Sequence, residues 1–174
     1  MTIPQGTIEH RATAAQQLPV QVAIVVVSDK RTAETDESGP LARWLLIQAG
    51  HTVSGFALIP NDETDTRAHV EALIEREDVD VVILCGGTGL GVKDRTVEAV
   101  RPLMEKELPG VGELFRLISY QEQIGTAAIL TRAIAGTVNG KLIVSLPGSK
   151  AAVELALTKV LLPELQHLMH ELRR

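Results

Sequence analysis

Residues 20–28, VQVAIVVVS, are almost unbroken apolar side chains, most of them β-branched. Such a run has no polar face, so it predicts a strand covered on both sides, as in a parallel sheet under helices. The polar stretch SDKRTAETDESGP follows. Pro40 is tolerated in a first helical turn and opens a helix to about Gln48, which Gly50 stops. Residues 51–59 predict a second strand, ending in Pro60-Asn61-Asp62. A helix with an acidic first turn is expected over residues 63–76, and residues 79–85 form the third strand. A short helix should follow Asp94 and end near Pro102, and another should run from Pro109-Gly110 to about Gln123. Residues 127–135 and 141–146 flank Asn139-Gly140, and Asn-Gly between apolar runs predicts a β-hairpin. Pro147-Gly148-Ser149 leads into a long amphipathic helix that Pro163 kinks or restarts.

Strands alternating with helices imply right-handed crossovers, hence a three-layer α/β/α domain with a mostly parallel sheet plus a hairpin. Ligands of such sheets sit beyond the carboxyl ends of the strands. Four loops leave strand ends there: residues 28–32, 60–62, 86–94 and 147–150. If all four strands are parallel, one edge collects Asp29, Asp62 and Asp94, the hydroxyls of Ser28, Thr88 and Ser149, and the cations Lys30, Arg31, Lys93 and Lys150. The third loop, GGTGLGVKD, is the richest. Its glycines let backbone N–H groups approach an anion, and the following helix start adds partial positive charge. It is not a P-loop, because Val92 precedes Lys93 and Asp94 stands where a hydroxyl is needed. Nor is it a dinucleotide fingerprint, because the third glycine position falls on Val92. A carboxylate beside phosphates repels them unless a divalent cation intervenes, so Asp94 points to magnesium. Each polar residue also has a plain structural reading: Asp94, Asp62 and Ser149 precede helices as caps, and Ser28-Asp29 makes a turn. Glu113 and Arg116 are spaced to pair along a helix face.

Composition narrows the function. The chain of 174 residues fits one domain over residues 20–174 behind a flexible tail, residues 1–19. Aromatic content of 2% makes the core aliphatic and argues against base-stacking surfaces, and a net charge of −5 argues against nucleic acid. A single cysteine, Cys85, excludes an internal disulfide and a cysteine zinc site; it is expected to pack as a small apolar residue. The five histidines form no metal spacing. No apolar run reaches membrane-spanning length, and Glu9, His10 and Arg11 stand where a signal peptide would be apolar, so a cytoplasmic protein is expected.

GGTGLGVKDRTVEAV and LPGSKAAVELAL resemble, in order, the two signatures of the molybdopterin-binding family. VVVSDKRT, the SGP that opens the first helix, PGVGELFR and GTAAILTRAIAG fall in family order. The resemblance spans about residues 20–163. It is nearest the group that holds molybdenum cofactor biosynthesis protein B and the molybdopterin adenylyltransferases. It implies adenylylation of molybdopterin by ATP with magnesium and release of pyrophosphate, in a homotrimer or homohexamer. Carried onto this chain, it implies Asp94 and Asp62 as catalytic and magnesium-holding residues. It implies that Ser28, Asp29, Ser38, Gly86, Gly87, Thr88, Gly89, Lys93, Pro147, Gly148, Ser149 and Lys150 bind substrate. The chain departs from the family at one point: the first aspartate usually follows proline directly, and here Asn61 does, with Asp62 next. Two readings stay open, an adenylyltransferase and a non-catalytic molybdopterin-binding protein of the same pathway.

Overall fold

A computed structural model describes residues 19–174; the tail expected over residues 1–19 lies, save for its last residue, outside the described residues. The strands are β1 (Gln21–Val27), β2 (Thr52–Ile59), β3 (Val81–Cys85), β4 (Lys106–Glu107), β5 (Ile134–Val138) and β6 (Lys141–Leu146). The α-helices are α1 (Ser38–Gln48), α2 (Glu63–Ile74), α3 (Thr96–Val100), α4 (Pro109–Ser119), α5 (Lys150–Leu155) and α6 (Leu165–Leu172). One six-stranded sheet runs in the order β2-β1-β3-β6-β5-β4. The first four strands are mutually parallel, and β5 and β4 are antiparallel additions at one edge.

Strand side chains alternate between faces, and β1 shows both cores. Val22, Ile24 and Val26 pack with Leu46 of α1, Phe115 of α4 and Met169 of α6; Ala23, Val25 and Val27 pack with Val70 of α2 and Val100 of α3. This gives a three-layer α/β/α fold. The continuous apolar runs are continuous because both faces are covered; every residue of β3 is buried. Phe115 is the one aromatic side chain among the largest fully buried ones, as the aliphatic composition predicts.

The hairpin forms where Asn-Gly placed it. Asn139 and Gly140 have φ of 49° and 71°, which a tight turn between right-twisted strands requires. Its first strand is shorter than expected, however. Residues 127–130 are not strand but part of a 3₁₀ turn, Gly125–Leu130, and β5 begins only at Ile134. The Thr131 hydroxyl donates to the Ala128 carbonyl at 2.8 Å and holds that turn; Ala128 is buried, while Ile129, 81% exposed, and Leu130 lie on the surface. The α4 helix continues as a π-helical turn, Tyr120–Ile124, and α5 likewise as Ala156–Leu161, before the chain restarts after Pro163 as α6. The expected helix over residues 63–76 stops at Ile74; Arg76 instead donates to the Ser54 carbonyl and pairs with Asp78. Among the described residues no helix is long and apolar enough to cross a membrane.

Candidate functional site

After β2 the chain crosses over β1 to lay down β3, so β1 and β3 are neighbours whose connections leave in opposite directions. A crevice opens at such a point beyond the strand ends. Here it is a cavity of about 440 Å³ that takes residues from all four loops, among them Ser28, Asn61, Gly86, Asp94 and Gly148. The glycine loop enters it by backbone alone. Gly86 has φ of 119°, and a side chain there would meet the Val27 carbonyl oxygen at 2.2 Å. Gly87 has φ of 62°, left-handed backbone that glycine adopts freely. The Gly86 N–H donates to the Leu146 carbonyl at 2.9 Å, and a Cβ on Gly148 would sit 3.0 Å from Gly86 Cα. The two glycine turns therefore lie against each other across the mouth of the sheet.

Asp94 is half-buried at the centre of the loop's charge. Its Oδ2 accepts the Gly91 N–H at 3.0 Å, and its Oδ1 accepts Asn61 Nδ2 at 3.1 Å. The Asn61 backbone N–H donates to Asp29 Oδ1 at 2.9 Å, and Lys93 Nζ lies 3.2 Å from Asp29 Oδ2. The Asn61 amide foremost, with Lys93, holds the Asp29 carboxyl below the usual carboxylate range. Asn61 thus stands between two carboxylates. Asp62, expected to hold magnesium with Asp94, is exposed and lines a neighbouring cavity with Asn61 and Lys93. Asp62 Oδ1 accepts from the Thr64 and Asp65 N–H groups at 2.8 and 3.0 Å and caps α2, so its chain geometry turns the carboxylate to the helix end.

Two buttressing residues, Asp36 and Arg132, were not singled out from the sequence. Asp36 is buried and accepts from the Ser38 hydroxyl and the Ser38 and Gly39 N–H groups. Arg31 donates to Ser38 Oγ at 2.7 Å and to the Gly148 carbonyl at 2.6 Å, so Ser38 acts through Arg31 on the Pro147–Ser149 turn. On the other flank, Arg132 donates to the Thr88 carbonyl at 3.0 Å and the Asp94 carbonyl at 2.8 Å, tying together both halves of the glycine loop. Glu98 orients it at 2.5 Å, and the Arg132 guanidinium holds the Glu98 carboxyl below the usual range. Only the signal of a lone arginine inside GTAAILTRAIAG could have marked it.

A family model described as "Probable molybdopterin binding domain" matches residues 23–167. The chain belongs to this molybdopterin-binding domain family. It is 49% identical over 166 residues to molybdenum cofactor biosynthesis protein B of Bacillus anthracis, a match over 95% of this chain and 97% of that one. A crystal structure of molybdenum cofactor biosynthesis protein B superposes with a TM-score of 0.87 at 49% identity, covering 90% of this chain and 97% of the other. The tungsten cofactor synthesizing protein MoaB from Pyrococcus furiosus gives a TM-score of 0.81 at 33% identity, over 90% and 98% of the two chains.

The rest of the expected molybdopterin-binding set falls as follows. Ser28 Oγ accepts the Lys30 and Arg31 N–H groups, each at 3.2 Å, and shapes the first loop. Thr88 is buried, and Gly89 approaches Asp94 closely enough that a Cβ would meet Asp94 Oδ2 at 2.6 Å. Pro147 and Gly148 are half-buried at the crevice. Ser149 caps α5 by accepting the Ala152 N–H at 3.2 Å, and Lys150 turns outward, its Nζ 3.5 Å from Glu37. Glu113 and Arg116 make no ion pair with each other among the described residues; Arg116 lines a different cavity. Cys85 is fully buried, and burial pushes its thiol up to about 12, so it is no nucleophile.

No group of three or more acidic, histidine or cysteine side chains converges among the described residues. Magnesium does not need one; it commonly takes one or two carboxylates and completes its shell with water and substrate phosphates. Asp94 supplies such a carboxylate. Beside it Asn61 Oδ1 is buried without a partner, and so is Thr96 Oγ1, and both lie against Gly87. Turned over, the same amide would offer its oxygen on the Asp94 side and its N–H to Thr96. These hard oxygen donors fit a shared magnesium ion.

Proposed function

We propose that this protein transfers the adenylyl group of ATP to molybdopterin with magnesium and releases pyrophosphate. The observation that carries the reading is the crevice at the β1–β3 junction, where a glycine loop, Asp94 and Asn61 face the Gly148 turn. A terminal phosphate oxygen of the pterin attacks the α-phosphorus of ATP; the new P–O bond forms as the bond to the β-phosphate bridging oxygen breaks. Two anions must meet, so the task is positioning and charge neutralisation more than base catalysis. The amides of Gly87, Thr88 and Gly89 hold phosphate oxygens, Gly86 being tied by its own N–H to Leu146, and the Gly148 turn, braced by Arg31, closes the far wall. Lys93, 80% exposed and resting on Asp29, is free to swing to the leaving pyrophosphate. Magnesium, held by Asp94 and Asn61, would supply neutralising charge between the phosphates. The set of catalytic candidates becomes Asp94 with Asn61 and Asp29, with Asp62 as helix cap.

The second reading, a molybdopterin-binding protein that does not adenylylate, is favoured by one observation: a neutral amide and no second carboxylate hydrogen-bonds Asp94. Single-turnover adenylylation with purified protein, molybdopterin, ATP and magnesium separates the two. We expect adenylylated pterin and pyrophosphate in equal amounts, lost without magnesium. In Asp94→Ala we expect turnover to fall by about a hundredfold or more while pterin still binds. Tight pterin binding with no product in the unaltered protein would establish the second reading. We further infer a homotrimer or homohexamer working in the cytoplasm, assembled through the apolar outer face of α4.

A further inference from the structure

Behind the glycine loop, away from the crevice, lies a second cavity of about 290 Å³ walled by Arg101, Arg116 and Arg132 with one carboxylate, Glu107, and with Val97 and Ile134 along its apolar side. That volume is at the small end for small-molecule sites, which run to about 300–1,000 Å³. Its three guanidiniums are not equally engaged. Arg132 is committed to Thr88, Asp94 and Glu98. Arg101 pairs through Nε with Glu107 at 3.1 Å, which leaves the fork of its terminal nitrogens. Arg116 is half-buried and its side chain, among the described residues, makes no hydrogen bond or ion pair. Its terminal nitrogens lie 3.1 and 3.4 Å from where a Gly112 Cβ would be, so the missing side chain gives the guanidinium its berth. The start of α4, at Leu108 and Pro109, lines the same space.

A guanidinium holds five donors in a plane that matches the oxygens of phosphate, and a half-buried one with none of them used is a group waiting for an anion. We propose that this cavity is a second anion site, which takes a phosphate group through Arg116 and Arg101. It is separate from the crevice and does not depend on the adenylyl-transfer reading. The phosphate comes either as the free ion or on a small organic molecule whose body lies along Val97 and Ile134.

Titration of the ¹⁵N-labelled full chain with inorganic phosphate at fixed ionic strength tests this. We expect saturable shifts at the Gly112 and Ala133 amides, and an affinity about tenfold weaker at those amides in Arg116→Gln, as loss of a charge-assisted bond requires. Arg101→Gln should weaken the same shifts, while Arg43→Gln, at an exposed arginine of α1 outside the cavity lining, should not. Phenyl phosphate in place of phosphate separates the sources: tighter binding identifies an organic phosphate, equal binding the free ion. No saturable shift at Gly112 and Ala133, or one that Arg116→Gln leaves unchanged, or one that Arg43→Gln weakens equally, would overturn the proposal.

Discussion

Asn61 shows how much one side chain decides here. It donates by its backbone to Asp29 and by its side chain to Asp94, so it separates two carboxylates that would otherwise repel. Asn61→Asp removes a donor and adds a third negative charge. We expect it to destabilise the magnesium-free protein by about 1–2 kcal/mol, and magnesium to restore the loss. Thermal melts of both proteins with and without magnesium chloride check this; equal midpoints throughout would mean the residue is a spacer and no more. Cys85 offers a second test at this scale. A thiol raised to about 12 by burial carries almost no thiolate at pH 8. The folded protein should therefore leave a disulfide reagent unreacted over minutes, and denaturant should release one thiol per chain. Rapid modification of the folded chain would contradict the packing of β3.

Among the elements, the links between loops matter more than the loops. Glu98 on α3 aims Arg132, which holds the Thr88 and Asp94 carbonyls. The Glu98 carboxyl titrates below its ordinary value, chiefly through its bond to Arg132. A depressed carboxyl contributes stability that is complete above the unfolded value of about 4.3 and is lost as pH falls through the folded one. Glu98→Gln should therefore cost about 1 kcal/mol, unchanged from about pH 6 to 8, with the gap to the unaltered protein closing below about pH 4. Urea titrations along that series measure it. These links explain what the amino-acid pattern could and could not foretell. The β1 and β3 runs and the Asn139-Gly140 turn announce themselves because their cause is local: β-branching, unbroken apolarity, two positive φ angles. The four loops of the crevice followed from strand order. Arg132 was invisible because its partners Thr88 and Asp94 are backbone carbonyls 44 and 38 residues away. Residues 127–130 misled because Ile129 and Leu130 face outward and only Ala128 turns in, and β4 was missed because Lys106–Glu107 are two polar residues.

At the scale of the whole molecule, one face is unfinished. Leu114, Leu117, Tyr120 and Ile124 follow helical spacing along α4 and its π turn, each about half exposed, and Ile129 and Leu130 extend the patch. Contiguous apolar surface of this kind marks an association face. Light scattering should give a mass of three or six chains. Leu117→Lys should shift it towards one chain with little change in secondary structure; an unaltered mass would place the interface elsewhere. Because β6 runs parallel to β3, its end at Leu146 meets the crevice and its start at Lys141 lies at the far edge. The exposed Asn139-Gly140 turn is therefore as remote from the chemistry as the sheet allows. A fluorophore or a short peptide tag inserted there would give experimenters a handle that reports on the molecule without touching its working end.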